Sequence, residues 1–307
     1  MDGILIIDKP SAWTSHDVVA KVRRLTRLKR IGHTGTLDPM ATGVLVVCLG
    51  QATRIVEYLV GHDKRYRATI RLGIETNTYD ADGRITLQHS VAVSEATLRE
   101  ALSKFVGEIA QVPPMYSALK RGGQKLVDLA RQGVEVEREP RKVTIYSIDV
   151  LAFDPPDLAI DVHCSTGTYI RSLAHDVGRA LGCGAHLAAL TRTAAGRFTL
   201  DQAISLEQLQ AAVADGSWTA LLRPLDAALT EFPAVTLSET DVEHMRHGLA
   251  VPHPLSNSVE AQLVRVYDPA SRLVGLVRVH RAARELRPEK IFAGPETNGT
   301  RTNTDEH

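Results

Sequence analysis

The sequence predicts an α+β protein built on a mixed, largely antiparallel sheet, and three observations lead there. Strand-like runs follow one another with short breaks: residues 143–152 and 158–164 flank Asp154-Pro155-Pro156, as two paired neighbours would. Helical periodicity is confined to a few segments, each with its own start and stop signals. No repeat at a fixed period and no GxxxxGK[ST] phosphate loop is present, so nothing suggests a solenoid or the use of ATP or GTP.

Taken in order, Gly3 to Ile7 reads as a short buried strand stopped by Asp8-Lys9-Pro10. Thr14 or Ser15 caps a helix to about Leu28, with Val18, Val22 and Leu25 at helical spacing and basic residues on the remaining faces. Ile31 to Gly43 has loop chemistry, and Val44 to Leu49 strand composition. Tyr66 to Leu72 alternates polar and apolar, as a half-buried strand does. Ser94 caps a helix over Glu95 to Phe105, Pro113-Pro114 breaks the chain, and a second helix runs from Gln124 to Arg131, ended by Gly133. Thr168 to Leu181 is a helix closed by Gly182. Near Phe232 a smaller unit begins, whose β-like runs Gln262 to Tyr267 and Leu273 to Val279 are joined by Asp268-Pro269-Ala270-Ser271. Pro295 to His307 is polar, lacks large apolar residues, and is expected to be disordered.

Composition narrows the function classes. With 307 residues, 44% of them hydrophobic, the chain can build one large domain, or one and a smaller second. The longest apolar runs, such as Val44 to Leu49, are too short to span a bilayer, and the start carries Asp2 where a signal peptide would carry Lys or Arg. Three cysteines at scattered spacings suit a reduced, cytoplasmic protein without structural zinc. Net charge is zero, but residues 1–150 hold 22 Lys+Arg against 17 Asp+Glu, and residues 151–307 hold 14 against 19. Lys21, Arg23, Arg24, Arg27, Lys29 and Arg30 crowd together without an acid. Because screening limits each charge to roughly 8–10 Å, such a stripe can bind phosphates whatever the total charge; taken alone, such a run is more often a solvated helix face.

The stretch Gly32-His33-Thr34-Gly35-Thr36-Leu37-Asp38-Pro39-Met40-Ala41-Thr42-Gly43 carries most information. Glycines let backbone approach a ligand, and Pro39 restricts Asp38 to extended conformations, fixing the direction of its carboxylate. By itself an Asp here is also a turn former. The whole string, however, resembles the catalytic motif of the TruB family of pseudouridine synthases, and other segments match in order. They are Gly3-Ile4-Leu5 with Asp8-Lys9-Pro10 and Thr14-Ser15, Lys64-Arg65-Tyr66, Asp80-Ala81-Asp82-Gly83, residues 111–120 (QVPPMYSALK), and Gly167-Thr168-Tyr169-Ile170-Arg171-Ser172-Leu173.

That resemblance, over about residues 3–200, implies a pseudouridine-synthase catalytic domain at 1–231 with a helical insertion at about 84–140. It also implies a small β-rich, PUA-like RNA-binding domain at 232–294. The implied reaction is isomerisation of uridine-55 in the T-loop of tRNA, with RNA and not DNA as partner. No cofactor, metal or obligate protein partner is implied, and a monomer is expected. Asp38 is the implied catalytic carboxylate, and Arg171 the cation that keeps it ionised. Tyr66 packs on the flipped base, Tyr169 is a second pocket tyrosine, and His33 enters the RNA where bases have been displaced. Lys9 and Pro10 shape the site, and Leu190 walls it. Val127 stands in place of a family tyrosine, and Thr166 and Thr191 where basic residues are common, which removes two phosphate contacts. Two rivals fit the same motifs: a guide-RNA-dependent pseudouridine synthase, and an RNA-binding protein that helps tRNA fold. A metal hydrolase does not, since none of the twelve histidines falls in an HExxH pattern.

Overall fold

The computed structural model describes residues 1–252 and 262–292; the tail expected to be disordered, residues 295–307, lies outside them. The chain begins with β1 (Gly3–Lys9), α1 (Ser15–Thr26), β2 (Ile31–His33), β3 (Thr42–Leu49), α2 (Val56–Val60) and β4 (Lys64–Leu72). A looser stretch follows: β5 (Ile74–Thr76), β6 (Ile85–Gln88), α3 (Glu95–Ser103), β7 (Gly107–Gln111), the two-residue strands β8 (Lys120–Arg121) and β9 (Gln124–Lys125), and α4 (Leu126–Arg131). The sheet resumes with β10 (Arg141–Asp154), β11 (Asp157–Cys164), α5 (Ile170–Ala180), β12 (Ala185–Ala195) and β13 (Phe198–Thr199), then α6 (Leu206–Ala214). Last come β14 (Ala234–Thr236), α7 (Glu239–Arg246), β15 (Val251–Pro252), β16 (Leu263–Tyr267), β17 (Leu273–His280) and β18 (Glu285–Ile291).

The main sheet runs in the order β1-β3-β12-β4-β11-β10-β7, with β2 also on β3 and β13 on β12. Every pairing in it is antiparallel except one, where β12 meets β3 in parallel through only Thr191↔Thr42 and Arg192↔Gly43. At this narrow junction the two halves of the sheet diverge. The β1–β3 half is covered on both faces. Leu5, Ile7, Leu45 and Val47 pack with Val18 and Val22 of α1 and Leu206 and Leu209 of α6, while Ile4, Ile6, Val44 and Val46 pack with Ala52 and Ile55. The β4–β11–β10 half buries one face only. Tyr66, Ala68, Ile70, Leu158, Ile160 and Val162 meet Ile170, Leu173 and Val177 of α5, whereas Arg65, Arg67 and Arg71 stay exposed. That is the alternation expected of a half-solvated antiparallel sheet.

A second sheet, β14-β16-β17-β18-β15, is formed within residues 234–291 and closes over Leu237, Val242 and Met245. It rests on the first: Leu276 and Phe292 join the cluster of Ile4 and Ile55, Arg54 Nη1 donates to the Ile291 carbonyl at 2.5 Å, and Lys290 pairs with Glu57 at 2.8 Å.

Several elements differ from expectation. Ile31–His33, read as loop because of its glycine and the string after it, is a strand held by Val47, Cys48 and Leu49 across the ladder. Residues 124–125 pair with 120–121 before the helix begins at Leu126. The helix after Gly167 starts at Ile170, with Tyr169 as its extended N-cap. The 84–140 stretch holds the two expected helices, but β7 within it forms the edge of the main sheet.

Gly43 has φ of +97°, and a Cβ there would lie 2.3 Å from the Arg192 carbonyl oxygen. Gly43→Ala should therefore lower stability by about 3 kcal/mol, through both strain and a parted junction, as read by urea denaturation.

Candidate active site

Loop 34–41 arches from β2 back to β3 and presents Asp38 beside the parallel junction. Its backbone is fastened at several points. Ala41 N–H donates to the Asp38 carbonyl at 3.1 Å, and Leu37 N–H donates to Ser15 Oγ at 2.9 Å. Lys9, fully buried at the end of β1, donates through Nζ to the carbonyls of Pro39 (3.1 Å), Trp13 (2.6 Å) and Pro10 (2.9 Å). Burial brings the Lys9 ammonium down to about 8, although Asp38 pulls the other way.

Arg171 opens the first turn of α5 and is 4% exposed. Its Nη2 donates to Asp38 Oδ1 at 2.9 Å and to the Tyr116 carbonyl at 2.8 Å; its Nη1 donates to Asp80 Oδ2 and the Thr78 carbonyl, both at 3.3 Å. Asp80 is turned inward by Thr78 Oγ1 at 2.5 Å and by the Asp82 N–H at 3.2 Å. One guanidinium thus joins two carboxylates and two carbonyls. The Asp38 side chain remains 31% exposed toward a cavity of ≈ 270 Å³. Burial nevertheless pushes its carboxyl above the usual 3.8, Arg171 opposes this, and Asp80 adds to the rise.

The cavity brings together five residues expected from the sequence: Asp38, Tyr66, Tyr169, Arg171 and Leu190. Tyr66, on β4, is 9% exposed, and burial holds its phenol protonated well beyond neutral pH. Tyr169 is fixed by Gln111, which accepts from its N–H at 2.8 Å and donates to its carbonyl at 3.0 Å. Leu190 closes the wall from β12. His33, Lys9 and Pro10 are not among the lining residues. His33 sits at the end of β2, edge-to-face with His16 at 5.5 Å, while Lys9 and Pro10 lie beneath the loop.

Two further lining cations had no role assigned from the sequence. Arg192, 2% exposed, ties the cavity wall to the loop by donating to the Val44 (2.7 Å) and Gly35 (3.1 Å) carbonyls. Lys64 donates to the carbonyls of Val60 and His62, and burial lowers it to about 8. Lys64 and Asp80 stood inside matched segments and could have been singled out; Arg192 lies in a stretch with no separate signal. Thr191 and Thr166 are used internally. Thr191 Oγ1 meets Thr42 Oγ1 at 2.9 Å across the junction, and Thr166 Oγ1 donates to the Val60 carbonyl. Among the described residues no cluster of His, Cys, Asp or Glu is arranged for a metal, and no helix is long and apolar enough to cross a membrane.

Residues 23–170 match the TruB family pseudouridylate synthase (N terminal domain), and residues 171–230 match the tRNA pseudouridylate synthase B C-terminal domain. The chain belongs to the TruB family, whose members are isomerases. It is 48% identical over 297 residues to tRNA pseudouridine synthase B of Ralstonia nicotianae, covering 94% of this chain and 93% of that one. It is 47% identical over 294 residues to tRNA pseudouridine synthase B of Burkholderia lata, covering 95% and 90%. Among solved structures, the chain in a Cbf5-Nop10-Gar1 complex superposes with a TM-score of 0.73 at 31% identity, covering 95% of this chain and 85% of that one.

Lys9→Met would strip three carbonyls of their donor and should destabilise the fold by on the order of 3 kcal/mol at neutral pH. The folded-state Lys9 value of about 8 lies below the 10.5 of an unperturbed lysine. Between these values the unfolded chain binds the extra proton, so wild-type stability relative to Lys9→Met should rise as pH climbs through that window. Denaturation curves at intervals from pH 7 to 10.5 check both points.

Proposed function

We propose that the chain isomerises uridine-55 to pseudouridine in the T-loop of tRNA, acting as a cytoplasmic monomer without cofactor, metal or guide RNA. The reading rests on one observation: an Asp38 carboxylate, open to a base-sized cavity, held at 2.9 Å by a buried Arg171 guanidinium. Breaking the glycosidic bond, turning the uracil and rejoining it through carbon 5 needs no redox change and no group donor. It does need a fixed carboxylate beside the sugar and the base. Attack on the sugar, addition to the ring and removal of a sugar proton all start from ionised Asp38, and Arg171 supplies the charge that favours that form.

A stacked uridine reaches the cavity only by leaving the loop, which costs a few kcal/mol recovered through stacking and hydrogen bonds. Tyr66 offers a ring and a protonated phenol to the flipped base, Tyr169 and Leu190 enclose it, and Lys64 and Arg192 place positive charge on the same wall. His33, at the edge of the loop, enters the RNA where bases have been displaced. Residues 84–140 form the insertion that grips the T-arm. The sheet within 232–294 is a PUA-like RNA-binding unit. Relatives at 47–48% identity carry the name tRNA pseudouridine synthase B, which favours the stand-alone reading over the guide-dependent one.

Purified protein incubated with unmodified tRNA transcript and a chelator should give pseudouridine at position 55 alone, mapped at single-nucleotide resolution. Asp38→Asn should retain tRNA binding and yield no product; tight binding without product from the wild type would overturn the enzyme reading. Because Asp38 is raised above 3.8 and acts ionised, the single-turnover rate should fall on acidification with an apparent pKa above that value. An acid limb at or below 3.8 in the same assay would remove Asp38 as the titrating group.

A further inference from the structure

Behind the Asp38–Arg171–Asp80 cluster lies a contact that none of the reaction steps uses. Tyr79, between Thr78 and Asp80, has φ of +65°, a left-handed conformation that is strained for a bulky residue. Its ring lies flat on His175, centroids 4.0 Å apart and planes 11° from parallel. His175 is 9% exposed and its Nδ1 has no hydrogen-bond partner among the described residues, so it contributes a face rather than a polar contact. It stands on α5 four residues after Arg171, one turn along the same helix.

The residues flanking Tyr79 are the ones that hold Arg171. Thr78 gives its carbonyl and Asp80 its carboxylate. The Tyr79 carbonyl accepts from Leu187 N–H at 3.0 Å, and Ala81 N–H donates to the Leu187 carbonyl at 3.0 Å, which anchors the turn on β12. The ring is the turn's stacking contact with α5, and it bridges the turn to the helix that bears Arg171.

We propose that the Tyr79–His175 stack is a positioning brace: it clamps the 78–80 turn to α5 so that Arg171 stays aligned on Asp38. This rests on Asp38 being the reacting carboxylate, as proposed above. Tyr79 and His175 touch neither substrate nor the reacting atoms; they act through Arg171 and Asp80. Without the stack, the turn keeps its link to β12 but loses its fixed distance from the helix, and Arg171 loosens from Asp38. Since Arg171 draws the Asp38 carboxyl downward, loosening it should move the acid limb of the rate to higher pH.

The test uses the full chain and unmodified tRNA transcript, with single-turnover rates across pH, tRNA Kd and thermal melts for each variant. Tyr79→Gly suits the positive φ while removing the ring. His175→Ala removes the other face, and His175→Phe restores an aromatic one. Tyr79→Gly and His175→Ala should each slow the single-turnover step about 10- to 100-fold, with tRNA Kd within about twofold and the acid limb displaced upward. The double variant should be no slower than the slower single, because both remove one contact. Tyr79→Phe and His175→Phe should keep near wild-type rates. If Tyr79→Gly fails to fold, the His175→Ala and His175→Phe pair still decides the matter. Wild-type rates in His175→Ala, or slowing with an unmoved acid limb and no rescue by phenylalanine, would overturn the brace. Asp38→Asn in the same series separates the two proposals: residual product from it sinks the Asp38 reading, whereas an inactive Asp38→Asn beside fully active brace variants sinks the brace alone.

Discussion

A guanidinium does not give up its proton inside a protein, so burying one obliges the chain to surround it with acceptors. Arg171 is buried, and three segments supply its acceptors: the loop of Asp38, the turn of Thr78 and Asp80, and the Tyr116 carbonyl; among the described residues only its Nε is left without one. The other contacts at the start of α5 serve the same placement. Gln111 grips Tyr169 at both backbone groups, and Ser172 Oγ donates to the Val112 carbonyl at 2.7 Å. Asp80 gives Arg171 a second carboxylate, at the expense of raising the proton affinity of the first. The site therefore sits between two opposed demands, an ionised Asp38 and a cation already shared.

Legibility in the sequence followed how local the cause was. The N-cap of α1 could be read because Thr14 and Asp17 form a capping box within four residues. The hairpin of β10 and β11 could be read because its turn is the two residues Pro155-Pro156 and β11 alternates cleanly. β2 could not, since Ile31–His33 is a strand only by virtue of pairing with β3, and its glycine argues for a loop. β12 has no clean alternation because bulges at Leu187/Ala189 and Arg192/Ala194 shift its faces, although it is central to the sheet. The same rule separates the site residues. Asp38 and Arg171 stand in recognisable strings. Arg192 enters the cavity because pairings with both β3 and β4 bring it there, a fact no window of sequence contains.

The two matched family segments divide at residue 170/171, between Tyr169, the cap of α5, and Arg171 in its first turn. The physical unit does not divide there. α5 packs on β4 and β11 from the first segment, and β12 from the second is inserted between β3 and β4. Asp38 and its counter-ion Arg171 thus come from different sequence segments of one sheet, whereas the sheet within residues 234–291 lies beyond both matches.

The parallel junction of β3 with β12 also sets a timetable. Asp38 and Arg171 are 133 residues apart along the chain, and the strand that completes the cavity follows later still. At the usual pace of translation, the Asp38 loop leaves the ribosome on the order of ten seconds before its partners. During that interval the Asp38 loop has neither the Arg171 guanidinium beside it nor the β12 wall of its cavity. The cavity is therefore completed in one late step, when β12 slots in beside β3.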